Sequence, residues 1–458
     1  MWSTFTLQKS FPSLCERIYK CYPNYSMIGF YQFKTPTLLL RDPDLVKSVL
    51  VTNFSSFDEN QILLDPELDP SMSKNPFFTT RDNWKEIRAA LTTGFSSRKL
   101  KSLFLSTREV SYKLKNYLTK LFERNSVIEV DLVQFWNKYT GEFVANVGFG
   151  MEGHCFEDTH NFQKAVSPMF GSSILTRAME MISFYSPRLA KILRIRRVPK
   201  KVELFFRNAV KDVLEARKHN DENYNDFLQM MIEYQKTHGM ETLDERTLTI
   251  YMEGFFLDAY ESASITLSFL CFQLALYPVI QKKARKEIIY SLTKFGGELS
   301  YEGLNELNYL EQILNESIRL NATIPLLSKV CTQECQLLGN DGLLCKIKPG
   351  DITVISLYGL HMDPKYWPEP EKFDPERFNE EQKGSRSKFV FLPFGEGPRM
   401  CVGRRMAMIE MKVAMVQLLK DYYLELSPKT RIPVERDSNF STMPECGLWV
   451  YVKPFLKD

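Results

Sequence analysis

A cysteine lies in a glycine-rich turn between an apolar run and a helix-like run. The turn from Phe394 to Gly403, FGEGPRMCVG, contains glycines and a proline that exclude a regular helix or strand and let the backbone pass close to something flat and bulky. Cys401 falls at the start of the helix-like run 404–420, where unpaired amides and the helix dipole favour a thiolate. A thiolate held there is suited to ligate a metal. The alternative is a buried structural cysteine in a tight turn.

Polar groups interrupt the longest apolar segment of the chain, residues 243–277. As a helix this segment would span roughly 50 Å. Glu253, Asp258 and Glu261 exclude a membrane span, so the segment is predicted to be a core helix. Ser262 follows Glu261 directly, and a hydroxyl beside a carboxyl can relay protons from water to a reacting group. The alternative is that these residues mark a helix kink or a lost function.

Two further motifs place charges where they can form a network. Glu316 and Arg319 are three apart on one face of the predicted helix 309–320, and Arg377 lies in the sequence Pro-Glu-Arg-Phe. A buried network of such charges is costly unless every charge is paired. We therefore interpret these three residues as structural support for the cysteine turn.

The order and spacing of these motifs resemble the cytochromes P450. The haem-binding signature of that family is matched by Phe394, Gly397, Arg399, Cys401 and Gly403. The resemblance covers nearly all 458 residues and is strongest to insect microsomal P450s that metabolise xenobiotics and endogenous lipophilic compounds. It implies a mainly α fold with a small β-rich subdomain, the cytochrome P450 fold, and a single haem domain over residues 1–458.

The resemblance also implies roles for individual residues. Cys401 would be the axial thiolate of the iron of haem b, where it favours O–O cleavage, and Phe394 would pack near its sulfur. Proton delivery would fall to Glu261 and Ser262. The haem propionates would be held by Trp84 and Arg88, which share one helix face, and by Lys329 and Arg399.

Among the positions that depart from the family pattern, three bear directly on the site. Asp258 stands where alanine or glycine is usual, and it could join the proton relay or repel a polar substrate. Ser262 stands in place of threonine and lacks the methyl group that restricts the rotamer, so we expect proton delivery to be less tightly gated. Lys329 replaces an arginine and loses the bidentate fork, so we expect softer anchoring of the haem.

The implied function is a monooxygenase that inserts one oxygen atom of O2 into a lipophilic small molecule with NADPH-derived electrons. NADPH-cytochrome P450 reductase is the expected electron donor, with cytochrome b5 as an additional partner. The resemblance places an apolar pocket at Leu326, Leu327 and the turn 441–443. The altered stretch 258–263 leaves open a haem-thiolate isomerase or dehydratase, and the absence of a leading segment leaves open a non-catalytic haem binder.

Two basic regions suggest surfaces for partners. A basic face around Cys401 would dock an acidic reductase, although an ordinary solvated face would contain the same residues: Lys85, Arg98, Lys99, Lys101, Arg404 and Arg405. The segment 172–201 is basic and amphipathic, which is typical of peripheral contact with an anionic membrane and equally of a solvated loop.

Composition limits the compartment and the class of partner. A net charge of +3 is too small to indicate nucleic acid, so no nucleic-acid role is assigned. Nine scattered cysteines favour a reducing compartment. No apolar run near the first residues approaches about 18 residues, so we expect a P450 without the N-terminal membrane anchor and proline-rich hinge. The expected location is the cytosolic face of the endoplasmic reticulum, or microsomal, membrane.

Overall fold

The chain is mainly helical. The structure, a computed structural model, describes residues 10–32, 34–157, 162–169, 174–218, 224–238, 244–438 and 441–455. The α-helices are α1 (Phe11–Cys21), α2 (Pro43–Lys47), α3 (Arg81–Gly94), α4 (Ser97–Phe122), α5 (Leu132–Phe143), α6 (Phe162–Val166), α7 (Ile174–Tyr185), α8 (Pro187–Ile192), α9 (Lys200–Arg217), α10 (Phe227–Thr237), α11 (Glu245–Leu276), α12 (Pro278–Lys294), α13 (Tyr301–Asn305), α14 (Asn308–Leu320), α15 (Leu357–His361), α16 (Glu380–Gly384) and α17 (Arg404–Leu419).

The strands form small sheets. They are β1 (Met27–Gln32), β2 (Thr35–Leu40), β3 (Glu59–Asn60), β4 (Ile128–Asp131), β5 (Leu326–Val330), β6 (Cys335–Leu338), β7 (Leu344–Ile347), β8 (Ile352–Ser356), β9 (Tyr422–Leu426), β10 (Arg436–Ser438), β11 (Thr442–Pro444) and β12 (Trp449–Pro454). The largest sheet has the order β1-β2-β8-β5-β3, and the next has the order β4-β12-β9. The predicted mainly α fold with a small β-rich subdomain is confirmed.

Helix α11 is the centre of the larger hydrophobic core. Its first turn is capped by Asp244, whose carboxylate accepts a hydrogen bond from the Arg246 amide at 3.1 Å, and it ends just before Pro278. Apolar residues surround most of its circumference, as expected for a helix packed on all sides. It contacts α5, α9, α14 and α17.

The membrane test selects this same helix. Among the described residues, Glu245–Leu276 alone is long and apolar enough to cross a membrane by length and composition, yet 72% of its apolar window is buried inside the fold. The neighbours of α11 are therefore other protein elements, which agrees with the predicted core helix.

A second, smaller core joins the β-rich part to the cysteine turn. Helix α1 and strands β2 and β8 each contribute three buried apolar side chains to it, and β1 contributes one. Phe389 and Leu392, which immediately precede the turn, are buried in the same cluster. One end of the turn is therefore fixed by the sheet, and the other end continues into α17.

Candidate functional site

Backbone hydrogen bonds hold the cysteine turn in one shape. The Cys401 amide donates to the Phe394 carbonyl at 2.8 Å, and the Met400 amide donates to the Gly397 carbonyl at 3.0 Å. Gly395 and Gly397 have φ values of +68° and +78°, which side chains other than glycine rarely tolerate. These contacts fix the direction of the Cys401 side chain.

Gly397 also makes the closest approach of the turn to its surroundings. A Cβ at this position would lie 2.0 Å from the Leu50 carbonyl oxygen, in the π-helical segment Ser48–Thr52 that follows α2. That distance is far below any van der Waals contact, so the residue must be glycine for the turn to lie against this segment.

The Cys401 thiol lies in an enclosed space. The Cys401 side chain is accessible to solvent from within the protein. Protein atoms nevertheless surround it closely, and this burial raises the pKa of the thiol to about 11. The nearby Asp258 charge raises the pKa further, whereas the amides of Gly403 and Arg404 lower it. The predicted effect of the helix start is therefore present but smaller than that of burial. Because α17 begins only at Arg404, Cys401 also precedes the helix rather than opening it.

Two arginines lie beside this turn and bind backbone carbonyls. Arg88, on α3, donates to the Met400 carbonyl at 2.5 Å. Arg399 donates to the carbonyls of Pro76 and Thr79 at 2.8 Å and 2.9 Å. Trp84, one turn before Arg88, is buried, and the Arg399 guanidinium lies 4.6 Å from the centroid of its ring. The structure thus brings Trp84, Arg88 and Arg399 to one side of the cysteine turn.

Lys329 is a third cation in this group. It is buried on β5, and its ammonium donates to the Asn60 side-chain oxygen at 2.6 Å. Burial, with the nearby Arg399 charge, lowers the pKa of Lys329 to about 7. Burial likewise lowers the pKa of Arg399 to about 10, a shift that the nearby Asp58 and Glu59 charges oppose and the Arg88 charge increases. None of these three cations forms a salt bridge with a carboxylate that the structure describes, so the cluster suits anionic groups of a ligand.

These features fit haem. Within the described ranges, no three His, Cys, Asp or Glu side chains are grouped to hold a metal ion, so a metal at Cys401 must bring most of its own ligands. A porphyrin would bring its own nitrogen ligands to the iron, so a single thiolate from the chain would be enough to complete the attachment. Its two propionates would meet Arg88, Lys329 and Arg399, although the charges of Asp58 and Glu59 already act on Arg399, and that of Asp58 on Lys329.

Helix α11 passes close enough to Cys401 for one of its side chains to influence the thiol. The Asp258 side chain is accessible to solvent, although protein atoms surround it on most sides. Its carboxyl interacts electrostatically with the Cys401 sulfur. The Ser262 hydroxyl donates to the Asp258 backbone carbonyl at 2.5 Å. Polar groups of the central helix and the thiol therefore face one cavity.

Glu261 faces another part of this region. Its carboxylate accepts a hydrogen bond from the Ser441 hydroxyl at 2.9 Å, and burial raises its pKa while the Arg197 charge lowers it. Adjacent helical residues do not share a face, so Glu261 and Ser262 point to different neighbours. The structure places both beside the cavity but does not join them by a direct hydrogen bond.

The predicted charge network lies behind the cysteine turn. The Arg319 guanidinium binds both carboxylate oxygens of Glu316, at 2.6 Å and 2.8 Å, and both side chains are fully buried. Arg377 reaches the same carboxylate at 3.4 Å and donates to the Glu369 carbonyl at 2.9 Å. Burial is the largest influence on the Glu316 pKa and raises it, whereas the two arginines lower it.

Two residues at the cavity carry no motif in the sequence. Asn75 lies against Asp258, and Asn60 binds Lys329. Both come from the stretch 57–80, which has no sustained period and contains prolines at 66, 70 and 76. Asn75 is buried and Asn60 is half-buried, but no local pattern in the sequence marks either residue.

The predicted basic face is partly neutralised. Lys99 forms a salt bridge with Glu233, and Lys101 forms one with Glu302 at 2.6 Å. Arg98 and Arg404 remain exposed. The positive charge available to a partner is therefore smaller than the sequence suggests.

Comparisons with known proteins agree with this geometry. The family profile described as Cytochrome P450 matches residues 1–449. The chain is 30% identical to Cytochrome P450 9e2 of Blattella germanica, with 96% of the chain and 88% of the relative covered. It is 31% identical to Probable cytochrome P450 6d4 of Drosophila melanogaster, with 93% and 85% covered, and 31% identical to Cytochrome P450 6d1 of Musca domestica, with 98% and 91% covered. The chain therefore belongs to the cytochrome P450 family, as a haem b monooxygenase of the insect microsomal type.

Proposed function

We propose that this P450 inserts one oxygen atom of O2 into a lipophilic small molecule, with electrons from NADPH delivered by NADPH-cytochrome P450 reductase. The observation that carries the proposal is the enclosed cavity between the Cys401 thiol and the Asp258–Ser262 turn of α11. Haem b, when bound, supplies the redox chemistry and the site of O2 activation. The chain supplies the thiolate, the propionate contacts, the protons and the exclusion of water.

Holding the cofactor is the task of the cysteine turn and the cation cluster. Cys401 would ligate the iron, and the positive charge of a bound metal would stabilise the thiolate against the burial that otherwise raises the thiol pKa. Arg88, Lys329 and Arg399 would hold the propionates, with Trp84 supporting Arg399. Glu316, Arg319 and Arg377 support the turn from behind without touching substrate.

Proton delivery is assigned to α11. The Ser262 hydroxyl lies at the cavity and can turn from the Asp258 carbonyl to a ligand or a water, because serine has no methyl group to restrict its rotamer. Glu261, whose pKa is raised by burial and whose carboxylate binds the Ser441 hydroxyl, is assigned the passage of protons toward the cavity. A water would be needed to connect Glu261 with Ser262.

The substrate is held by apolar side chains near β5. Leu326 and Leu327 are half-buried there and pack beside the second core. The β10–β11 hairpin is attached beside this region, because the Thr442 amide donates a hydrogen bond to the Thr323 carbonyl at 2.8 Å. An apolar cavity of this kind selects lipophilic molecules.

Exposed side chains indicate where redox partners and the membrane would contact this protein. Exposed Arg98 and Arg404 remain available to attract an acidic reductase, and cytochrome b5 would use the same surface. Peripheral contact with the cytosolic face of the endoplasmic reticulum is assigned to α8 and the residues after it, where Ile192 and Leu193 are 77% and 53% exposed. Arg196 and Arg197 pair with Glu203 and Glu180, so the contact rests more on these aliphatics than on charge.

A substitution at Ser262 tests the proton assignment. In a reconstituted system with reductase and NADPH, Ser262→Ala is expected to consume NADPH while forming several-fold less oxygenated product per NADPH, because the hydroxyl is lost. Ser262→Thr restores the hydroxyl and is expected to match or exceed the wild type. Product yield per NADPH that is equal in all three proteins would overturn the role of Ser262. Product formed without NADPH or peroxide would overturn the monooxygenase reaction itself.

A further inference from the structure

A carboxyl group in the cavity has no counterpart in the function described so far. Asp258 stands on α11 at the cavity wall, where the family pattern has alanine or glycine. Its side chain is accessible to solvent but is surrounded by protein atoms, and its charge raises the pKa of the Cys401 thiol. A carboxyl at this position faces whatever occupies the space above the cysteine turn.

No cation of the protein neutralises this group. Asp258 forms no salt bridge with the residues that the structure describes, and no basic side chain contributes to the shift of its pKa. The cations at the cavity, Arg88, Lys329 and Arg399, bind carbonyl or amide oxygens instead. The carboxyl is thus an enclosed, uncompensated acid, and such groups are costly unless a partner arrives.

A second polar group points to the same place. Asn75 is 2% exposed, and its side-chain oxygen accepts a hydrogen bond from the Phe77 amide at 2.8 Å, which directs its Nδ2 toward α11. Burial raises the pKa of the Asp258 carboxyl to about 7, and the Asn75 amide approaches closely enough to oppose that rise, but Nδ2 makes no well-aligned hydrogen bond. A buried donor without an aligned acceptor and an acid without a cation therefore adjoin one cavity.

We propose that Asp258 is a substrate-anchoring residue that selects lipophilic molecules carrying a cationic nitrogen. The inference rests on the proposed function, since it names the substrate class of the same cavity. The carboxylate attracts the cation across a water-poor space, Asn75 helps to hold the carboxylate, and the apolar body of the substrate lies against the aliphatic wall. Attachment at Asp258 directs the oxidation to carbons near the charged nitrogen.

A role limited to proton relay explains less of the geometry. The Ser262 hydroxyl is bonded to the backbone carbonyl of Asp258 and not to its carboxyl. The Asn75 amide, in turn, comes from the loop over the cavity rather than from the helix that carries the relay. A binding site for a cation gives each group a use: the carboxylate attracts the cation, and the Asn75 amide is positioned to support the carboxylate.

The test compares two ligands that differ only in charge. Decyltrimethylammonium carries a fixed positive charge and has no lone pair to ligate iron, and 2,2-dimethyldodecane is its uncharged carbon isostere. Binding to the haem-loaded protein is measured by equilibrium dialysis, with the wild type, Asp258→Asn, Asp258→Ala and Glu253→Gln. Glu253→Gln is the control, because it removes a carboxyl of the same helix whose side chain is only 1% exposed.

Relative to the wild type and Glu253→Gln, both Asp258 variants are expected to bind the charged ligand about tenfold or more weakly while keeping their affinity for the hydrocarbon, which reports the apolar contribution alone. Unchanged affinity of the Asp258 variants for the charged ligand would overturn the proposal, and so would an equal loss of affinity for both ligands. Asp258→Asn keeps the size and shape of the side chain, so it decides the question if Asp258→Ala does not fold. The reduced carbon monoxide spectrum, recorded on each protein, separates this result from a failure of the haem-thiolate function, which would remove the thiolate band itself.

Discussion

The Arg399 guanidinium lies 4.6 Å from the centroid of the Trp84 ring while its nitrogens donate to the carbonyls of Pro76 and Thr79. These contacts hold the guanidinium beside the cysteine turn in one position and one orientation. An arginine makes all of them at once because its guanidinium is planar and has several donors. Trp84 and the loop 76–79 therefore position Arg399 before any ligand arrives.

Arg399→Lys is expected to weaken retention of haem about tenfold, because lysine keeps the charge but cannot make both backbone hydrogen bonds and stack on Trp84. The rate of haem transfer to an excess of apomyoglobin measures the effect. Arg405→Lys is the matched control, since Arg405 is exposed and contacts only the Ser97 hydroxyl at 3.0 Å among its hydrogen bonds. Identical transfer rates for the two variants would contradict this role of Arg399.

Arg319→Leu is expected to lower the free energy of unfolding by about 3–5 kcal/mol, because it leaves the buried Glu316 carboxylate without its bidentate partner. Urea denaturation measures the change. Lys283→Ala breaks the half-exposed salt bridge with Glu376 at 2.5 Å and is expected to cost less than about 1 kcal/mol. A loss of comparable size in both variants would argue against a special role for the buried network.

Gly397→Ala tests the close approach of the cysteine turn to Leu50. The new Cβ would meet the Leu50 carbonyl oxygen at 2.0 Å, so the turn must move and haem content should fall sharply. Gly350→Ala has a similarly positive φ, +93°, but its Cβ would meet nothing within 4 Å, so only a backbone strain of about 1 kcal/mol is expected. Haem per polypeptide, measured after purification, should separate the two. Full haem content in Gly397→Ala would show that the turn tolerates displacement.

Glu253→Gln is expected to remove one component of the pH dependence of stability. Burial, followed by the nearby Glu203 charge, raises the pKa of the Glu253 carboxyl from 4.5 to about 8. Between these values the folded chain holds a proton that the unfolded chain releases, so stability falls as pH rises through this window. The wild type should therefore lose up to about 1.4 kcal/mol per pH unit relative to the variant.

Urea denaturation of both proteins at several pH values measures that difference. Glu371→Gln, at an exposed position, is the control and should follow the wild type at every pH. If wild type and Glu253→Gln show parallel pH profiles, Glu253 is not held protonated by the fold.

The sequence predicted most of the framework because its signals are local. The buried pair of Glu316 and Arg319 is three residues apart on one helix, and the bounds of α11 follow from the Asp244 cap and from Pro278. The turn around Cys401 was recognisable from its glycines, whose positive φ values the structure shows at Gly395 and Gly397. In each case the cause and the effect lie within a few residues of each other.

The remaining features depend on partners that are distant in sequence. Lys99 and Lys101 are neutralised by Glu233 and Glu302, which no local pattern connects to them. The raised pKa of Cys401 comes from tertiary burial, which outweighs the nearby amides that the sequence indicated. The approach of Asn75 to Asp258 joins a loop to a helix and has no periodic signal. Electrostatics of this kind can be determined only after the chain has folded.

The carbon monoxide difference spectrum of the reduced, purified protein tests the central claim most directly. The account predicts a Soret band at the thiolate-ligated position in the wild type and in Cys446→Ser, whose cysteine is exposed and outside the turn, and no such band in Cys401→Ala. A wild-type band near the imidazole-ligated position, or a thiolate band that persists in Cys401→Ala, would contradict the assignment of Cys401 as the ligand of the iron.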